Sequence, residues 1–353
     1  MPTIKEVADR AGVAVGTVSH VITGSVPVSD ELRRKVLAAI KELDYHPNHI
    51  ARSLKTSRTR TLGIIVPDMT IPFFPRVIRG AESAARERNY SLIAVNSDDN
   101  DARQKELLSL LRSQRVEGIL LVIAAAPAPL TQVNGLIGAG IRVVCLDRIP
   151  EQLRVDAVSV EDVSAAELGV DHLIAEGHRR IAVVTGPLSL RNERQRLLGY
   201  ERSLERAGIV REDELIWRGN LRPDDVAAMC GERLRAQAPR PDAVFSTNGQ
   251  TGLGVLRAFR DCGLRTPEDI AFVTFDELTV DDLFMPSITT VVQPAYDIGF
   301  RAAEILLQRI EEGAAGGEPV AVRLAATLKV RDSSGRRQAK ATAPLRIRRS
   351  GAM

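Results

Sequence analysis

What this chain of 353 residues lacks narrows its function before any motif is read. It has three cysteines, Cys145, Cys230 and Cys262, widely separated and without metal-ligand spacing. Neither a disulfide framework nor a zinc site follows, and the three are expected to be reduced and structural. No charged leader followed by an apolar core opens the chain, and the longest apolar run, about 119–130, is too short to span a bilayer. A cytoplasmic protein without membrane contact is expected. Also missing are GxSxG, the phosphate loop GxxxxGKS/T and a metal-spaced histidine pair; His178, in the turn before a strand, reads as structural. No catalytic residue, metal or cofactor is therefore assigned, and the chain does not read as an enzyme.

What is present begins with a segregation of charge. Residues 1–60 carry 10 Lys and Arg against 6 Asp and Glu, residues 331–353 carry 7 against 1, and the middle carries 31 against 38. Basic ends on an acidic body suit a polyanion held at one end.

The stretch IKEVADRAGVAVGTVSHVIT, residues 4–23, reads as two short helices joined by a tight turn. Val7, Ala8 and Ala11 share one face of the first helix, Gly12 supplies the turn, and Val18, Val21 and Ile22 bury the second. That is the pattern of a helix-turn-helix, although an ordinary helical hairpin shares it. In the second helix Thr17 and Ser19 can bond phosphates, His20 can meet a base edge, and Val15 can touch a thymine methyl. Gly16 reads nothing and weakens the helix by roughly 1 kcal/mol relative to Ala. With so few polar readers, part of the DNA preference is expected to come from elsewhere.

Ser29, followed by Asp30 and Glu31, caps a third helix whose Leu32, Val36, Ile40 and Leu43 close the small core. Residues 44–60 follow. NHIARSLK can form barely two turns of helix and is unstable alone. With Arg52 and Lys55 within it and Arg58 and Arg60 just after it, it is suited to fold on a phosphate backbone.

From Thr61 strands alternate with helices. TLGIIVPD, SLIAVNSD, GILLVI and RVVCLDR form one series; RIAVVTG, ELIWRGN, AVFST and IAFVTFD form a second. Two parallel-sheet lobes are implied, to either of which ITTVVQP, a helix over about 295–312 and VAVRLAATLKV can return. Ligands in such sheets sit beyond the strand ends. Polar residues gather there: Asp68, Asp98, Asp147, Arg148, Asn248 and Asp276, with Phe73 and Phe74 opening a helix and Arg196 on another. Carboxylates, an amide and a guanidinium beside an aromatic platform suit a polyhydroxylated ligand.

Taken in order, TIKEVADRAGVAVGTVSHVI, YHPNHIARSLK, VCLDR, GHRRIAVVTGP and TFDELTVDDLFMPSITTVVQP resemble the LacI/GalR family of bacterial transcription regulators over all but the last 22 residues. The resemblance implies an N-terminal all-α helix-turn-helix domain plus a periplasmic-binding-protein-like core of two parallel-sheet α/β lobes. The expected boundaries are 1–46 for the DNA-binding head and 47–60 for the hinge helix and linker. The effector-binding core covers 61–331, with a first lobe of about 61–161 and 292–318 and a second of about 162–291 and 319–331. Residues 332–353 are expected to be a disordered basic tail.

The resemblance also implies partners and roles. The family binds double-stranded, near-palindromic operators as homodimers, usually as repressors under control of a small effector. Val15, Gly16 and His20 occupy base-reading positions. Leu54 matches a leucine that wedges into the minor groove, and Asn48 and Ala51 match hinge positions on that groove's backbone and floor. Asp147, Arg196, Asn248, Asp276 and Gln293 match positions that hold an effector's hydroxyls in the sugar-responsive members, so a sugar or sugar derivative is expected.

Departures from the family pattern bear on each of these. Ala14 stands where Ser is usual, costing the second helix a capping hydroxyl, and Thr23 replaces a common Asn. Gly249 stands where a carboxylate often follows the site asparagine. Leu190 falls where the purine repressor has its pocket arginine, which disfavours the alternative of a purine-responsive regulator. The tail has no leucine heptad, so a dimer is expected over a coiled-coil tetramer. A periplasmic-type sugar-binding protein without DNA function would share the lobes but not the basic head.

Overall fold

The first helix of the head, α1 (Ile4–Ala11), opens on a capping box. Thr3 Oγ1 accepts from the Glu6 amide, and the Glu6 carboxylate accepts from the Thr3 amide at 2.6 Å. It stops at Gly12, whose φ of 65° suits glycine and turns the chain. Next come α2 (Val15–Thr23) and α3 (Asp30–Glu42), the latter begun by Ser29, whose hydroxyl accepts from the Leu32 amide. Val7, Ala8, Val18, Val36 and Ala39 are buried together with Val21, Ile22, Ile40 and Leu43 packed against them, much as the spacing predicts, although Leu32, expected here, is not part of the cluster and Ala39 is.

This computed structural model describes residues 2–23, 26–45, 58–125, 130–278, 285–313 and 317–335. The chain divides into two units, Met1–Thr59 and Arg60–Met353. No helix among the described residues is long and apolar enough to cross a membrane.

The larger unit uses one plan twice. Its first lobe has a six-stranded sheet ordered β11-β5-β4-β3-β1-β2, all parallel. The strands are β1 (Thr61–Val66), β2 (Ser91–Asn96), β3 (Gly118–Leu121), β4 (Arg142–Leu146), β5 (Asp156–Val160) and β11 (Ala321–Leu324). Helices α4 (Phe73–Glu87) and α11 (Ala295–Glu312) cover one face; α5 (Asp101–Ser113) and α6 (Thr131–Gly138) cover the other. Sheets covered on both faces take near-continuous apolar strands, which is why TLGIIV and GILL are legible without alternation. Helices α4 and α11 touch backbone to backbone: a Cβ on Gly80 would lie 2.0 Å from the Tyr296 carbonyl oxygen, and one on Gly299 would lie 1.9 Å from that of Val77.

The second lobe's sheet is ordered β12-β10-β9-β8-β6-β7. Its strands are β6 (Ile181–Thr185), β7 (Ile216–Arg218), β8 (Ala243–Ser246), β9 (Ala271–Phe275), β10 (Thr289–Val292) and β12 (Thr327–Lys329), the last antiparallel to β10. One face packs on α7 (Asp162–Ala175) and α8 (Arg191–Arg206), the other on α9 (Pro223–Ala236) and α10 (Gly249–Asp261).

The chain passes between the lobes three times, after β5, after β10 and after β11. The crossings lie side by side, since Val160 is in register with Leu324 and Val292 with Thr327. The expected lobe boundaries move accordingly. VAVRLAATLKV is two strands in two sheets, so Ala321–Leu324 belongs to the first lobe and not to the second. The tail also begins later than 332. Ser333 and Ser334 are fully buried, with Ser333 Oγ donating to the Phe272 carbonyl at 2.7 Å and Ser334 Oγ lying 2.7 Å from Thr289 Oγ1.

Candidate functional site

Two strand ends, one per lobe, place the central carboxylates by the same device. Asp147 follows β4 with φ 55°, and its amide donates to Val158 of β5; Asp276 follows β9 with φ 69°, and its amide donates to Val291 of β10. Left-handed backbone is tolerated by aspartate better than by most residues, and here it turns each chain off its sheet at the mouth between the lobes.

Arg196, on α8, is the cation these carboxylates surround. It is 2 % exposed, donates through Nε to Asp162 at 2.9 Å and through Nη1 to the Thr247 carbonyl at 2.8 Å, and lies 3.8 Å over the Phe275 ring. Its Nη2 reaches only to 3.8 Å from Asp147 and has no hydrogen-bond partner among the described residues. Gln293 donates to Asp276 at 2.6 Å, and its Oε1 is likewise buried without a partner.

Burial dominates the protonation of this cluster. It pushes the Asp276 carboxyl up to about 6, with Arg196 and Gln293 pulling the other way, and the Asp162 carboxyl up to about 7, again against Arg196. Asp147 is raised for the same reason, opposed by Arg196 and Arg148. Burial weighs against the charge on Arg196, but Asp162, Asp276, Glu193 and Asp147 together hold its pKa above the usual arginine value.

Of the residues expected to hold an effector, Phe73, Phe74, Asp147, Arg148, Arg196, Asn248, Asp276 and Gln293 line one cleft. Phe73 and Phe74 meet edge to face at 5.2 Å. Asp68 is not brought to it; its carboxylate accepts from the Thr70 amide and hydroxyl in a local turn. Asp98 likewise pairs with Arg103 at 3.2 Å. Asn248 is largely committed: its oxygen caps α10 through the Thr251 amide at 2.9 Å, and its nitrogen donates to Glu193 at 2.8 Å. One amide hydrogen is left for a ligand.

Glu193, Asn192, Leu221 and Gln250 also line the cleft, with Asp162 just behind Arg196, and none of these was anticipated. The signal was available for the first two: Asn192 and Glu193 precede Arg196 by four and three residues, on one face of a helix. Glu193, 1 % exposed, accepts from the Gly186 amide, the Thr247 hydroxyl and Asn248. Around the rim two ion pairs run from lobe to lobe, Arg76 to Glu277 and Arg194 to Glu151.

In the head, Val15 and Gly16 are exposed, and Thr17, Ser19 and His20 are partly so. The Ala14 carbonyl accepts from the Thr17 amide at 2.9 Å, and its methyl offers no capping oxygen. Asn48, Ala51, Arg52, Leu54 and Lys55 lie outside the described residues.

Comparison with known proteins adds the following. Residues 3–48 match the model for bacterial regulatory proteins of the lacI family, and residues 170–334 that for periplasmic binding protein-like domains. The HTH-type transcriptional repressor PurR of Vibrio atlanticus is 36% identical over 312 residues, 88% of this chain and 93% of that protein. The ribose operon repressor of Escherichia coli is 35% identical over 313 residues, 88% and 94% of the two chains. Among solved structures, a complex of the transcriptional regulator CelR with cellobiose matches with a TM-score of 0.70 at 35% identity, over 94% of this chain and 100% of that one. The lac repressor dimer bound to operator and the anti-inducer ONPF matches with a TM-score of 0.80 at 26% identity, over 95% and 99%.

Proposed function

Because this chain belongs to the lacI family of bacterial regulatory proteins, we propose that it is a DNA-binding transcriptional repressor controlled by a small effector held between its lobes. It works in the cytoplasm as a homodimer on a near-palindromic operator and is not an enzyme. The effector is a sugar or sugar derivative.

The observation that carries the effector is the pair of stranded groups in the cleft. Among the described residues Arg196 Nη2 is a donor without an acceptor, and Gln293 Oε1 an acceptor without a donor. A hydroxyl can serve either, and Asp147 and Asp276 accept from further hydroxyls. Phe73 and Phe74 suit the C–H face of a ring.

On DNA, Val15, Gly16 and His20 face bases while Thr17 and Ser19 hold phosphates. Residues 48–55 supply the rest, with Asn48, Ala51 and Leu54 in the minor groove and Arg52 and Lys55 on the backbone. A ligand bridging Asp147 and Phe73 of one lobe to Arg196 and Asp276 of the other fixes the angle between them, and that angle decides whether residues 47–60 can order on DNA.

The test is a thermal melt against sugars, sugar acids, sugar alcohols and purines, where ligand at about 100 times its Kd adds roughly 2.7 kcal/mol. A shift with a sugar, lost in Arg196→Ala and Asp276→Ala, is expected; a shift with a purine alone sinks the sugar. Operator binding is expected to give a symmetric footprint, to weaken with salt, and to lose its effector response in Leu54→Ala.

A further inference from the structure

The cleft does not end at its carboxylates. Past Arg148 and Leu190, which line both spaces, it opens into an outer chamber walled by residues 123–125 and 130, by residues 148–152 after β4 and by the start of α8. More free volume lies there than inside, about 140 Å³ against about 50 Å³. The sign of the charge reverses across that boundary. Inside, Asp147, Glu193 and Asp276 outnumber Arg196 and the boundary residue Arg148. Outside, Arg148, Arg191 and Arg194 confront Glu151 alone.

Two of the outer arginines are already occupied, Arg148 by Asp99 at 2.5 Å and Arg194 by Glu151 at 2.9 Å. Arg191 is partly buried and has no ion-pair or hydrogen-bond partner among the described residues. It is the first residue of a 16-residue helix whose N-cap, Leu190, makes no side-chain hydrogen bond, although Asn192 Oδ1 accepts from the Glu193 amide further in. A half-sheltered guanidinium without a counter-ion, at the positive end of a helix, selects negative charge.

We propose that the effector is bipartite: a neutral polyhydroxylated part against Asp147, Arg196 and Asp276, joined to an anionic group, phosphate ester or carboxylate, held by Arg191 in the outer chamber. This rests on the sugar reading of the inner cleft and narrows it to a class of molecule. An anion cannot be accommodated among the inner carboxylates, so the charge fixes which end of the sugar points out. Arg191 belongs to the second lobe and Ile149 and Pro150, opposite it, to the first, so the anion is enclosed only when the lobes close. The charged ligand therefore has a stronger hold on the lobe angle than its neutral parent.

The experiment is calorimetric titration of the full chain with matched ligands: ribose and glucose, the terminal phosphate ester of each, gluconate, and cellobiose as a neutral two-ring control. One phosphate ester or the sugar acid is expected to bind about tenfold or more tighter than its neutral parent. That advantage should shrink with salt, vanish in Arg191→Gln, and partly return in Arg191→Lys, with the neutral parent's affinity unchanged in both variants. Whether phosphate or carboxylate gains identifies the anion. Neutral sugars binding as tightly as their charged counterparts, or an advantage that survives Arg191→Gln, overturns the proposal and leaves the sugar reading standing. Silence from every sugar, charged and neutral, overturns both.

Discussion

Replacing Asp162 with Asn tests the electrostatics beneath the cleft one group at a time. Asp162 is 5 % exposed, accepts from Arg196 Nε at 2.9 Å, and has its carboxyl lifted by burial from 3.8 to about 7. In the unfolded chain it ionises near its ordinary value. A folded pKa above the unfolded one means that the native state keeps its proton longer. The group's contribution is then greatest below about pH 4 and falls as pH rises toward 7. Roughly three pH units separate the two values, so the full loss is about 4 kcal/mol, more than half of which falls between pH 5 and pH 8.

Asparagine cannot titrate but keeps an oxygen toward Arg196. The unfolding free energy of Asp162→Asn relative to wild type should therefore move in the variant's favour by about 2 to 3 kcal/mol between pH 5 and pH 8. Urea titrations can follow this through Trp217, the single tryptophan, which is fully buried in the same lobe. A difference constant to about 0.5 kcal/mol across that range, or one moving toward wild type, would refute the argument that burial dominates this carboxylate.

Other substitutions probe the scaffold. Gly299→Ala drives a methyl to within 1.9 Å of the Val77 carbonyl and should cost about 3 kcal/mol or more through separation of α4 and α11, read as a lowered Tm. Glu6→Ala removes half of the capping box and should loosen the start of the head's first helix, seen as faster amide exchange in α1 with the lobes unaffected. Arg76→Gln breaks an ion pair between the lobes whose arginine is half exposed; stability should change by less than about 1 kcal/mol while effector affinity falls, and a large drop in Tm without a change in Kd would contradict this.

Much of the fold was legible because its strands are buried on both faces and so read as apolar runs. β5 was not: DAVSV is short, and Asp156 and Ser159 break the run, yet both are buried, Asp156 by a two-pronged bond to Arg309 at 2.8 and 2.9 Å. VAVRLAATLKV looked like one strand because nothing local marks the change of sheet at residues 325 and 326; only pairing partners distant in sequence divide it. In the cleft, strand-end aspartates were visible as apolar runs ending in acid. Glu193 was missed inside RNERQR: its helical spacing to Arg196 could be read, but a buried carboxylate there looks like one more charge on a solvated helix. Asp68 failed for the opposite reason, since a strand-end aspartate serves equally well to close a local turn.

The three side-by-side crossings between the lobes form a flexure. A row of parallel strips bends readily about the line through the row, but it resists twisting about their length and sliding along the line, because neighbouring strips would have to stretch. Residues 160, 292 and 324 lie along such a row, and the Glu161 amide bonded to the Leu324 carbonyl at 2.9 Å stitches two of the strips together. Bending about that row is thus the motion the crossings resist least. A ligand that spans the cleft acts on that bend, by fixing how far it goes.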